Sequence, residues 1–235
     1  MSGLKLLSGG AAQGLVKSLA PVFKANTGLD IDGEFGAVGA MADNLRAGQS
    51  TDVLILTHAL IGTLVKDGLV SQASIRNVGL VETALAVRSS DPVVPAPDQA
   101  SLREALLAAD VIYLPDTKAS TAGIHVAKVI ALLGIGGDVE SRLKIYPNGA
   151  TAMRHLAESP AARPIGCTQS TEILSTPGVM LSGALPPGCE LVTMYTAAVT
   201  VGAVRPREAQ TLIDLLTEPP HRELRRRAGF LEPAA

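Results

Sequence analysis

Short apolar runs alternate with segments of helical period along almost the whole chain. Residues 4–7 form an apolar strand, and 11–26 follow with Leu15, Val16, Leu19, Val22 and Phe23 on one helical face. Pro21 is awkward inside that helix and predicts a kink, while Gly28 is placed to stop it. Residues 29–35 alternate as a strand, 39–47 read as a helix ending at Gly48, and 53–56 as a buried strand bounded by Asp52. A helix over 59–66 stops near Gly68. Two strands without a helix between them, 78–80 and 83–87, break the rhythm, and a Pro-rich loop over 92–97 follows. The alternation then resumes as helix 101–109, strand 111–114, helix 121–133, strand 143–146, helix 150–158, strand 165–168 and a helical turn at 170–174. A long β-branched strand at 192–201 and two helices, opened by Pro206 and by Pro219-Pro220, end the chain.

Strand and helix in alternation predict an α/β protein of mixed, mostly parallel sheets with helices on both faces. The break near residue 83 predicts two lobes. The first is discontinuous, residues 1–83 with 196–235, and the second is 84–195, with a ligand cleft between them and a hinge near 83–86 and 195–198.

Four times a short strand runs through small residues into a helix start. These places are Ser8-Gly9-Gly10-Ala11, Ala37-Val38-Gly39, Thr121-Ala122-Gly123 and Asn148-Gly149-Ala150. A helix N-terminus has unpaired N–H groups and the positive end of the dipole, which suits it to an anion. Small residues let a ligand approach that backbone. They also mark tight strand-to-helix turns, so the expectation rests on the set of four.

Composition narrows the partners. The net charge of −2 gives no electrostatic footprint for nucleic acid. The basic run 222–227 reads as a solvated helix face. No apolar run reaches the ~20 residues of a membrane span. Lys5 and Ser8-Gly9-Gly10 interrupt the first apolar run too early for a secretory h-region. A cytoplasmic location is therefore expected if Met1 is the natural start, and a periplasmic one if the N-terminus has been trimmed. Cys167 and Cys189 lack metal-type spacing and are expected to be reduced, with a disulfide left open. No metal triad, phosphate-loop lysine, nucleophile elbow or dinucleotide glycine spacing is visible, so neither metal nor cofactor is expected.

Several stretches resemble the type II periplasmic binding-protein fold, and within it the molybdate-binding protein family. They are residues 29–35, Leu45-Arg46-Ala47-Gly48 followed by Thr51-Asp52-Val53, Thr121-Ala122-Gly123-Ile124, and Ile165-Gly166 with Gln169 and Glu172. The resemblance implies a small anion held by backbone N–H groups and a few hydroxyls. It places Ala11, Val38 or Gly39, Ala122, Ala150 and Gln169 at ligand-contact positions. Ala11 and Ala37-Val38-Gly39 stand where that family carries serines, and Gln169 where it carries a tyrosine. A dehydrated tetrahedral dianion would be poorly satisfied by such loops. The run Gln169-Ser170-Thr171-Glu172-Ile173-Leu174 with Pro177-Gly178-Val179 resembles a branch that includes aconitate isomerase. That implies a larger organic carboxylate.

Two functions stay open at this point. One is a binding protein, with an ABC permease as partner only if the chain is exported. The other is a cytoplasmic, cofactor-independent isomerase that shifts a C=C bond in an unsaturated carboxylate. Such an isomerase needs a base and donors for the developing charge. His125, in the first turn after Thr121, is the candidate base, or else simply packs. Asp116 and Lys118 hold a ligand carboxylate or solvate their loop. Gln169 offers donor and acceptor together. Glu172 is a base, a helix cap or a hinge residue. Asn148 suits a left-handed turn or a ligand hydrogen bond, and Ser8 donates to the ligand or caps the first helix. His58, His155 and His221 have no clustered partners and read as structural or exposed.

Overall fold

A computed structural model describes residues 3–233. The chain divides into two compact units: up to Val81 together with Thr193 onward, and Glu82–Val192. In chain order the elements are β1 (Leu4–Gly9), α1 (Gln13–Thr27), β2 (Ile31–Gly36), α2 (Val38–Arg46), β3 (Val53–Thr57), α3 (His58–Lys66) and β4 (Arg76–Arg88). Then come α4 (Gln99–Ala108), β5 (Val111–Pro115), α5 (Thr121–Leu132), α6 (Gly136–Val139), β6 (Leu143–Tyr146) and α7 (Gly149–Ala157). The chain continues through β7 (Pro164–Gln169), α8 (Ser170–Leu174), β8 (Val179–Ala184), β9 (Val192–Val199), α9 (Pro206–Thr217) and α10 (Arg222–Arg227).

In the first unit β1 lies between β2 and β3, parallel to both, and β9 runs antiparallel to β3. The strand β3 reads Val-Leu-Ile-Leu-Thr and is buried along its length, as a strand covered on both faces must be. Helix α1 packs Leu15, Val16, Leu19 and Phe23 inward. Val22 is exposed, which corrects its expected place on that face, because it falls one position round the helix from Phe23. Pro21 lies inside the helix but on its solvent side. Gly28 ends the helix in the left-handed region, at φ 73°, where a side chain would be strained. Just before β3, the buried Asp52 carboxylate accepts the N–H groups of Lys5 at 2.9 Å, Val204 at 2.7 Å and Arg205 at 3.0 Å. One acidic side chain thus pins the first strand and the start of the last helices.

In the second unit β7 runs parallel to β5, and β5 parallel to β6. The distal half of β4 pairs antiparallel with β7 on one side and β8 on the other. The two strands expected at 78–80 and 83–87 are one continuous strand, β4, and β8 has no counterpart in the sequence reading. Its Ser182 and Gly183 interrupt any alternation, and pairing with β4 rather than propensity holds it. One aliphatic cluster centres on Leu102, Ile112, Leu114 and Ile135, and a second on Met153, Leu156 and Ile173. Burying each such side chain contributes about 1.5–3 kcal/mol. Cys167 and Cys189 are both buried and free. The basic run is only partly a solvated face. Arg226 and Arg227 pair with Glu223, but Arg225 is buried and donates to the carbonyls of Leu216 and Glu218 at the end of α9.

Candidate functional site

The second unit holds a buried polar cluster built from two neighbouring helix starts. Gln169 is the N-cap of α8, which puts Glu172 at its third helical position. From there the Glu172 carboxylate reaches back to the Gln169 N–H, and it also accepts the N–H groups of Gly149 and Ala150 at the start of α7. The Thr168 hydroxyl donates to its Oε2 at 2.5 Å. Burial pushes the Glu172 carboxyl above the usual carboxylate range, against the opposing pull of those four donors. An α7 helix start that the sequence offers to an external anion is therefore capped by the protein's own carboxylate. Gly149 makes this possible. A Cβ there would collide with Glu172 Oε2 and Thr168 Oγ1. Asn148 is extended, at φ −156°, and its Oδ1 accepts the Thr151 N–H at 2.8 Å as an ordinary N-cap.

Beside this cap lie side chains with no protein partner. Thr83 and Gln169 face one another across the β4–β7 ladder, so their side chains share a face of the sheet. Thr171 follows two residues later. Thr83 Oγ1, both polar atoms of the Gln169 carboxamide and Thr171 Oγ1 are all buried without a hydrogen-bond partner. Leaving such an atom unpaired costs about 1–3 kcal/mol, so four together mark a place built to meet another polar group. The set is uncharged and can both donate and accept.

The remaining residues singled out in the second unit have defined neighbours. Ser120 is the N-cap of α5 but its side chain makes no capping bond. Thr121 and Ala122 open the helix, and Gly123 packs so close to the strand before it that a Cβ would sit 2.5 Å from the Pro115 carbonyl oxygen. His125 Nε2 lies 2.8 Å from the Cys189 carbonyl. A carbonyl only accepts, so Nε2 carries the proton and that nitrogen ties α5 to the 185–191 loop. Asp116 accepts the N–H groups of Lys118 and Ala119 at 2.7 and 2.9 Å. Those bonds hold its carboxyl below the usual range, and Lys118 is exposed. His155 stacks on Tyr146 with ring centroids 4.2 Å apart.

In the first unit, both helix starts expected at the site are free of side-chain caps. Gly10, Ala11 and Ala12 form a buried 3-10 turn, and Ala37 precedes α2, with Val38 buried and Gly39 half-buried. Gly9 packs so tightly that a Cβ would lie 2.7 Å from Val38 Cγ1 and 3.0 Å from a Tyr195 ring carbon. The Ser8 hydroxyl caps no helix; it is buried and donates to the Gly9 carbonyl at 2.9 Å. A third start, at α3, opens on His58 rather than on a run of small residues. Here His58 Nδ1 is 3.3 Å from Thr196 Oγ1, whose hydroxyl donates to Asn77 Oδ1 at 2.9 Å. A groove of about 670 Å³ in this unit is lined by Val78, Phe230, Arg222 and Arg226 among others and contains none of the residues expected at the site.

Comparison with known proteins follows the same lines. Residues 4–231 match the family described as bacterial extracellular solute-binding proteins. The periplasmic molybdate-binding protein of Azotobacter vinelandii shares the fold, with a TM-score of 0.82 at 15% identity over 98% of this chain and 100% of that one. The sulfate-binding protein SubI of Mycobacterium tuberculosis H37Rv has a TM-score of 0.74 at 17% identity, covering 98% of this chain and 86% of its own. By sequence, the chain is 23% identical over 224 residues to an aconitate isomerase from a Pseudomonas species, covering 91% of this chain and 81% of that protein.

Proposed function

The chain belongs to the bacterial extracellular solute-binding protein family, and we propose that its ligand is a small organic carboxylate rather than molybdate. The observation that carries this reading is the uncharged set Thr83, Gln169 and Thr171 beside the buried Glu172 carboxylate. A tetrahedral dianion next to Glu172 would meet like charge in a low-dielectric place. A ligand that brings a hydroxyl, a protonated carboxyl or an unsaturated carbon skeleton there meets hydroxyls and a carboxamide that can satisfy it. The α5 start at Thr121, in the same unit and without a capping side chain, is suited to its ionised carboxylates. An ABC permease is the partner where the chain is exported.

A second reading is supported by the relative named aconitate isomerase. In that reading the bound ligand is an unsaturated tricarboxylate and the protein moves its double bond without a cofactor. A thermal-shift panel tests the ligand class. Ligand at about 100 times its Kd stabilises by about 2.7 kcal/mol, so di- or tricarboxylates should raise the Tm by several degrees. Molybdate, tungstate and sulfate should not. A shift with molybdate alone would overturn the proposal.

A further inference from the structure

We propose that His58 is the base that takes the substrate proton, an inference that rests on the isomerase reading above. It starts from hydrogen-bond direction. The Thr196 side chain is fully buried, and its single hydroxyl proton is committed to Asn77 Oδ1. Its oxygen can then only accept from His58, so His58 Nδ1 bears the ring proton. In neutral imidazole this leaves Nε2 with a free lone pair. His58 itself is exposed. The arrangement is a base, an orienting hydroxyl and an amide that fixes the hydroxyl, the relation a proton-abstracting imidazole requires.

Its place in the first unit is consistent with that role. Strands β1, β2 and β3 are parallel, with Ser8 opposite both Phe35 and Ile55. Their carboxyl ends therefore open on one edge, where α/β sheets take ligands. Gly10, Val38 and His58 follow those three ends, so an oriented base shares an edge with two helix starts lacking side-chain caps. His125 does not offer the same chemistry at Nε2, which is spent on a carbonyl.

The step balances without a co-reactant. Nε2 takes a proton from the carbon next to the double bond, and that C–H electron pair becomes the new C=C. The old π pair moves toward the carboxylate-bearing carbon, with the developing charge held by main-chain donors. The imidazolium then returns the proton to that carbon. Thr196 and Asn77 are positioning residues.

The test is proton NMR of cis- and trans-aconitate in D2O with the wild-type chain and with His58→Gln, His125→Gln and Thr196→Val. Circular dichroism verifies folding and calorimetry measures binding. Removing a general base should lower kcat about 100- to 10,000-fold in H58Q while Kd stays within about threefold. T196V should lower kcat less, with KM unchanged, and 15N shifts of His58 should show the Nδ1–H form in the wild type and in H125Q but not in T196V. Turnover retained by H58Q, or lost only in H125Q, overturns the assignment of His58 while the isomerase reading stands. A wild-type chain that binds carboxylates but migrates no double bond defeats the isomerase reading, and with it the role of His58.

Discussion

Gly149→Ala probes the cap of α7 directly. An alanine Cβ at this position overlaps Glu172 Oε2 and Thr168 Oγ1, so the carboxylate must leave the helix start. It then gives up the N–H groups of Gly149 and Ala150, two of its four donors. Hydrogen bonds to a charged group contribute about 1.5–3 kcal/mol each, a gross loss of about 3–6 kcal/mol. Exchanging glycine for alanine in a helix returns up to about 1 kcal/mol. A net loss of about 3 kcal/mol corresponds to a Tm lower by about 6–12 °C in a chain of this size. The assay is thermal and urea unfolding followed by far-ultraviolet circular dichroism, with the same exchange repeated in a Glu172→Ala background. There the carboxylate is gone and only the Thr168 hydroxyl remains in the way of the new Cβ, so G149A should cost markedly less, a coupling of about 2–3 kcal/mol. G149A matching the wild type, or losing as much in both backgrounds, would refute the seat assigned to Glu172.

Three further outcomes are expected. Gln169→Leu removes two unpartnered buried atoms at similar volume, so urea unfolding should show unchanged or slightly raised stability while calorimetric affinity for the carboxylate falls at least about 10-fold. Glu172 is held above the usual carboxylate range by burial. Between the ordinary and the raised value the native chain keeps a proton that the unfolded chain has released, so stability falls as pH rises through that window. Glu172→Gln should lack this component, and urea midpoints from pH 4 to 8 that run parallel in the two chains would contradict it. Asp52→Ala leaves three N–H groups without their acceptor. A loss of about 3–5 kcal/mol is expected by urea unfolding, and a loss under 1 kcal/mol would deny the pinning role.

Much of the fold is legible in the sequence because the periods of strand and helix differ and both units alternate them. The stops at Gly28, Gly48 and Gly68 are equally plain, each a glycine with positive φ. β8 is not legible, since its pairing partner in β4 lies far back in the chain, with Ala84 opposite Ala184 and Arg88 opposite Val179. The continuity of β4 is hidden by Gly79 and Glu82 within it. At the site, the small-residue helix starts stand out locally. What occupies them does not, because a carboxylate from α8 reaching α7 is a tertiary fact. The spacing from Gln169 to Glu172, an N-cap with an acid three residues on, was the available signal for the cap. For His58 there was none. Its partner Thr196 lies 138 residues away, and Asn77 another 119 residues back from Thr196.

The chemical class of the ligand is decided by calorimetric titration. The purified chain, freed of bound solute by unfolding and refolding, is titrated with cis- or trans-aconitate and separately with molybdate, and each is then used to compete with the other. Saturable binding of the tricarboxylate that excess molybdate does not displace is expected, with that binding weakened in Gln169→Leu. Tight molybdate binding that the tricarboxylate cannot displace would contradict it.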